Sequence, residues 1–202
     1  MALTTNSLRT AIHAIATDIA PMGDHLNDLD GRLGDGDLGV TMVNGFNNLA
    51  TVADELPGDF GKACMDCAKA MTKVSGSSFG TLMGIALMAV AKQTKGETDL
   101  EWQRTPTLLQ AAVDAMLARG GASLGDKTML DTLDAIISST QNIFDPNTLQ
   151  TSALKAADDA LEAYKDKTCK IGRARIFGDK TIGMDDPGMV AVKMMVERLV
   201  SP

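Results

Sequence analysis

Aromatic residues are scarce in this chain: one Trp, one Tyr and five Phe make up 3% of 202 residues. Strands draw on aromatic and β-branched side chains, so the shortage argues against a β-rich core. Ala, Leu and Met, all strong helix formers, are abundant instead, and composition favours an all-α fold. Basic residues are outnumbered, 19 Lys and Arg against 26 Asp and Glu, for a net charge of −7. An acidic chain repels phosphate backbones, which excludes nucleic acid as the expected partner. No apolar run reaches 18 residues, so no membrane span is expected. The N-terminal stretch lacks a basic segment followed by an apolar one and does not read as a secretion signal. With only three cysteines and no such signal, reduced thiols and a cytoplasmic location are the expectation. Histidine occurs twice, at His13 and His25, and neither falls in a candidate site.

Apolar residues recur at three- and four-residue spacing through most of the chain. This periodicity predicts helices near 6–20, 40–56, 59–73, 80–95, 106–119, 128–141, 147–166 and 187–200. Thr5 or Asn6 caps the first, which carries Leu8, Ile12, Ile15 and Ile19 on one face. Asp145-Pro146-Asn147 marks a break and restart. Nothing resembles a linker or repeat, so residues 1–202 read as one domain. The glycines cluster at 31–39, 76–84, 120–125 and 172–188, each time between predicted helices. That is the pattern of a helical scaffold with a site at its loop end.

The segment from Leu29 to Gly39 is the most informative. It packs Asp30, Asp35 and Asp37 together with four glycines into eleven residues. Close carboxylates repel unless a cation lies between them, and hard oxygen ligands suit Mg²⁺ shared with phosphates. An ordinary Asp-Gly turn is the plainer alternative. An EF-hand is excluded, because its alternating ligand register and closing glutamate are missing. Ser77 and Ser78 precede a predicted helix and offer either a cap or a phosphate contact. The stretch from Gly120 to Thr128 imitates a Walker A loop, but Asp126 intrudes between Gly125 and Lys127 and no buried strand precedes it, so a P-loop is rejected. Arg173 is suited to a phosphate or to a surface ion pair. Asp186-Pro187-Gly188 opens the last helix with Pro at its first position. Cys64-Met65-Asp66-Cys67 lies mid-helix, with no second pair and no thioredoxin-like pattern, and reads as buried structural thiols.

Four pieces, LDGRLGDGDLGVTM, SGSSFGTLMG, RGGASLGDKTMLD and GRARIFGDKTIGMDDPG, together resemble the nucleotide-binding subunit or domain of dihydroxyacetone kinases, over nearly the whole chain. The resemblance implies an antiparallel barrel of eight amphipathic helices with ATP or ADP bound at one end. It implies two Mg²⁺ ions held by Asp30, Asp35 and Asp37, which are then the catalytic and metal residues. It implies nucleotide contacts at Leu38, Gly39, Val40 and Thr41, phosphate contacts at Ser77 and Ser78, and positions around the adenosine at Gly120 and Met129. Arg173, Asp186, Pro187 and Gly188 complete the implied contacts. Leu38 stands where some members have His, and Phe79 looks like an added residue in the second loop.

By the same resemblance the ketose, dihydroxyacetone or a four-carbon ketose such as erythrulose, is held by a separate ketose-binding kinase subunit. The donor is free ATP, or a bound ADP rephosphorylated by a phosphotransferase-system phosphocarrier. A homodimer or hetero-oligomer is expected. Two other readings are a fatty-acid-kinase-like domain, a class that carries a long C-terminal region whereas this chain ends at Pro202, and a non-catalytic nucleotide-binding regulatory module.

Overall fold

The computed structural model describes residues 2–74, 76–119 and 121–200. Nine α-helices lie among them: α1 (Thr5–Thr17), α2 (Ile19–Leu33), α3 (Leu38–Ala53), α4 (Phe60–Val74), α5 (Ser78–Gln93), α6 (Thr105–Ala118), α7 (Met129–Thr140), α8 (Pro146–Tyr164) and α9 (Pro187–Val200). Two short strands, β1 (Leu3–Thr4) and β2 (Asp99–Leu100), pair antiparallel. The all-α expectation holds, and seven of the eight predicted helices correspond to α3–α9.

The first predicted helix, 6–20, needs correction. It is capped by Thr4, whose hydroxyl accepts from Ser7 N while Ser7 answers to the Thr4 backbone. It stops at Thr17, and a second helix, α2, follows after the single residue Asp18. Pro21 explains the break, for it has no N–H to offer the Thr17 carbonyl and its ring crowds that oxygen. One residue is too short to fold α2 back on α1. The two therefore act as one bent wall, which reconciles nine helices with an eight-walled barrel.

From α2 onward each helix packs on its successor through to α9, and α9 closes the ring against α1 and α2. Short connections give the up-down order of a bundle. The enclosed core runs from Ile12, Met22 and Leu26 through Met42, Phe46 and Met71 to Val113, Leu130 and Ala191. Small and flexible residues dominate it, which lets the helices approach closely. Phe79 belongs to this core and lies within the first turn of α5, so the added residue is structural. None of the described helices is long and apolar enough to cross a membrane.

The Cys-x-x-Cys pair sits on α4 with both thiols buried and unpaired, as is Cys169. Burial pushes Cys64 and Cys67 up to about 12, helped by the neighbouring Cys67 and Asp66 charges respectively. The thiolate is the reactive species, so these groups are inert near neutrality. In the folded protein at pH 8, a maleimide or disulfide reagent is expected to label Cys64 and Cys67 only as fast as the chain unfolds. Rapid stoichiometric labelling before denaturation would contradict this burial.

Candidate functional site

The acidic segment is half helix and half loop. Asp30 stands on the last turn of α2, residues 34–37 form the connection, and Leu38 starts α3. The buried face Met22, Leu26 and Leu33 carries the helix up to the turn. Gly36 adopts φ 74°, a left-handed conformation that glycine takes without a Cβ penalty. Asp37 makes no side-chain cap for α3. Side chains of α2 do it instead: Asp30 Oδ2 accepts from Asp37 N at 3.0 Å and Leu38 N at 3.3 Å, and Asn27 Oδ1 accepts from Val40 N at 3.2 Å. These bonds satisfy orphan N–H groups of α3 and tie the carboxylate-bearing loop to a rigid helix.

The outcome is a cluster in which one carboxylate oxygen each of Asp30, Asp35 and Asp37 lies within 4.8 Å of the others. Asp30 is half-buried, while Asp35 and Asp37 are exposed. Asp37 is pushed above the usual carboxylate range by burial, then by the charges of Asp35 and Asp30, with Arg173 acting the other way. Arg173 Nη2 lies 2.8 Å from Asp35 Oδ2.

The cluster opens into a cleft of about 720 Å³, also lined by Leu38, Ser77, Ser78, Arg173, Arg175, Asp186 and Pro187. Ser77 caps α5, its hydroxyl accepting from Gly80 N at 3.2 Å. Ser78 is exposed beside it. Asp186 Oδ1 accepts from Met189 N at 2.9 Å and so caps α9. Burial pushes the Asp186 carboxyl up to about 7, against the opposing pull of backbone bonds from Met189 and Gly188 and of Lys127. A second hollow of about 470 Å³ shares Gly76, Ser77, Ser78, Ile171 and Gly172 with the first and is lined mainly by apolar groups, among them Leu82, Met116 and Met129. Acidic and apolar halves thus adjoin, with the α5 N-terminus between them.

The remaining expected contacts are distributed less simply. Leu38, Gly39 and Thr41 are buried in the first turn of α3, and Val40 alone of the four is exposed. Only Leu38 of these lines the cleft. Gly188 packs beside Asp186 and Met129. Gly120 lies outside the described residues. Sequence reading passed over Asn27, Arg175 and Ile171. Asn27 was the most accessible of these: it stands one turn before Asp30, on the same helix face.

Fold and site define a class: an all-α barrel that carries, at one rim, a carboxylate cluster suited to divalent cations beside a two-part cleft. The chain belongs to the DAK2 domain family, which matches residues 32–201. One relative, 32% identical over 184 residues, is the PTS-dependent dihydroxyacetone kinase, ADP-binding subunit DhaL of Lactococcus lactis, with 87% of this chain and 86% of that protein covered. The PEP-dependent counterpart of Escherichia coli is 28% identical with the same coverage. The L-erythrulose 1-kinase of Mycolicibacterium smegmatis is 32% identical, but there this chain spans 31% of the relative's length. Among solved structures, the dihydroxyacetone kinase of C. freundii in complex with AMP-PNP and Mg²⁺ superposes with a TM-score of 0.73 at 24% identity, over 99% of this chain and 34% of that one. That likeness establishes the fold.

Proposed function

We propose that this chain is the nucleotide-binding subunit of a small-ketose kinase, acting with a separate ketose-binding subunit in the cytoplasm. The observation that carries the proposal is the convergence of Asp30, Asp35 and Asp37 at the mouth of a cleft whose other half is apolar. The donor set fits Mg²⁺, since three carboxylate oxygens within 4.8 Å of one another are hard ligands at a spacing that one or two small cations can share. The approach of Arg173 to Asp35 supports the fit, because the cluster already draws positive charge. The names of the DhaL relatives, which describe ADP-binding subunits, support nucleotide as the second ligand.

Bound together with the nucleotide, two Mg²⁺ ions would neutralise the phosphates and polarise the group to be transferred. The protein's share is positioning and electrostatics. Asp30 holds the loop through its bonds to α3 while directing an oxygen at the cluster. The α5 N-terminus, with Ser77 and Ser78, presents backbone N–H groups to the phosphates. The apolar hollow around Leu82, Met116 and Met129 receives the base. With cations bound at Asp35, Arg173 would be free to pair with the phosphates instead. Transfer is in line, to a hydroxyl of dihydroxyacetone or a related ketose on the partner. No histidine lines the cleft among the described residues, and we assign capture of the ketose to that partner.

Calorimetry with ADP or ATP is expected to show binding in magnesium and none in EDTA. Adding a ketose-binding subunit and ketose is expected to give ketose phosphate. Turnover with ATP alone, compared with turnover that needs a phosphocarrier, identifies the donor. Failure to bind either nucleotide in magnesium would overturn the proposal.

A further inference from the structure

Lys127 is the largest fully buried side chain among the described residues, 1% exposed. It sits in the loop before α7 with φ 64°, a left-handed backbone conformation that a lysine rarely adopts. Strain and burial of a charge at one position call for a compensating role. The sequence places this lysine in a stretch that imitates a phosphate-binding loop, yet backbone carbonyls take up its ammonium. Its Nζ donates to three backbone carbonyls: Lys167 O at 2.8 Å, Thr181 O at 3.0 Å and Lys165 O at 3.2 Å. An ammonium has three N–H donors, and all three are matched.

Those carbonyls stand at the two ends of one excursion of the chain. Lys165 and Lys167 lie where α8 ends, and Thr181 closes the 3₁₀ segment Ala174–Thr181. Between them runs the stretch with Ile171, Gly172, Arg173, Ala174 and Arg175, which forms one wall of the cleft. The ammonium therefore pins the base of this wall. Gly183 N to Lys165 O at 2.8 Å and Cys169 N to Thr181 Oγ1 at 2.9 Å close the same base. The lysine is itself held from outside. Asp131 accepts from Gly125 N at 2.6 Å, Thr128 N at 2.7 Å and the Tyr164 hydroxyl at 2.9 Å, which locks the loop around Lys127 to the end of α8.

We infer that Lys127 is a positioning residue for the nucleotide, holding the wall that carries Arg173 in place by binding its base as a tethered cation. The inference rests on the proposed nucleotide site. The cluster of Asp30, Asp35 and Asp37 is carried by α2 and α3 and meets the tethered wall through Arg173 on Asp35 and Leu33 against Cys169 and Ala174, so the tether bears first on the Arg173 side of the cleft.

The test uses the full-length chain with Lys127→Ala, and with Lys127→Gln should the alanine variant not fold. Hydrogen bonds to a charged group are strong enough that their loss is expected to weaken Mg·ADP binding about tenfold or more. Proteolytic nicking within 165–184 is expected to accelerate relative to global unfolding. Binding of Mn²⁺ alone to the carboxylates, read by electron paramagnetic resonance, is expected not to weaken by more than about twofold, because α2 and α3 carry all three aspartates and a loosened wall only withdraws the competing Arg173 from Asp35. Ethylammonium is expected to restore part of the nucleotide affinity of the alanine variant. In an Arg173→Ala background the Lys127 change is expected to add little, since both act through one wall.

A folded variant with unaltered ADP affinity and unaltered nicking overturns the inference, and so does a full additional loss in the Arg173→Ala background. If the unsubstituted protein binds no Mg·ADP, the proposed function falls instead, while the nicking comparison still decides whether Lys127 anchors this wall.

Discussion

Asp37→Asn is expected to lower magnesium-dependent phosphoryl transfer by about a thousandfold or more, the scale of removing a principal electrostatic group from a phosphoryl-transfer site. The folded state is expected to survive intact. Asp37 caps no helix with its side chain, and it is exposed. Its carboxyl is already held above its ordinary range by burial and by Asp35 and Asp30. A group raised in this way loses stability as pH climbs through its folded value, so neutralising it relieves repulsion and leaves the melting temperature near pH 7.5 unchanged or higher. Asp30 makes the informative contrast. Its Oδ2 accepts from two backbone N–H groups of the α3 start, so Asp30→Ala loses both metal binding and a cap, the latter at about 1 kcal/mol. Activity assays paired with thermal melts of the two variants separate a charge that works on ligand alone from one that also builds the loop. Near-normal turnover by Asp37→Asn would remove the basis for the metal assignment.

Gly39→Ala is expected to be the most damaging single methyl addition near the site. A Cβ there would lie 2.6 Å from both Asn27 Oδ1 and the Gly23 carbonyl carbon and would overlap the Gly23 carbonyl oxygen. Gly23 faces the same restriction, with Val43 Cγ2 2.5 Å from its own missing Cβ. The pair lets the α2 and α3 backbones touch, and backbone cannot yield as the end of a flexible side chain can. Overpacking of this kind costs about 3 kcal/mol or more. Urea denaturation is expected to show a lower midpoint at an unchanged slope. Because α2 and α3 flank residues 34–37, the surviving folded fraction is also expected to bind cation poorly. A loss under about 1 kcal/mol would mean that the two helices can separate at small cost.

Gly39 also illustrates what a motif conveys. Its presence in the acidic segment implied a nucleotide contact by resemblance, whereas its evident physical work is to bring two helices together. The same division runs through the chain. Three carboxylates among four glycines were legible as a converging cluster of negative charge, and the structure brings one oxygen of each within 4.8 Å of the others. The helix that carries Asp30 was missed, although Met22, Leu26, Leu29 and Leu33 have the required spacing, because glycine and aspartate so close behind made the whole stretch look like loop. Lys127 was read correctly as no Walker lysine, but its three carbonyl partners lie 38 to 54 residues away. No local pattern encodes such a distance.

By itself the sequence determined that the chain is helical, where seven of its helices lie and which loop gathers negative charge. These are properties of side-chain spacing and of charges a few residues apart. Only the tertiary structure decided that the helices close into a ring, that Arg173 reaches Asp35, and that a buried lysine ties down the wall between α8 and α9. Each of these joins segments far apart in the chain, and such contacts form only when burial of the helix faces brings those segments to one end of the barrel.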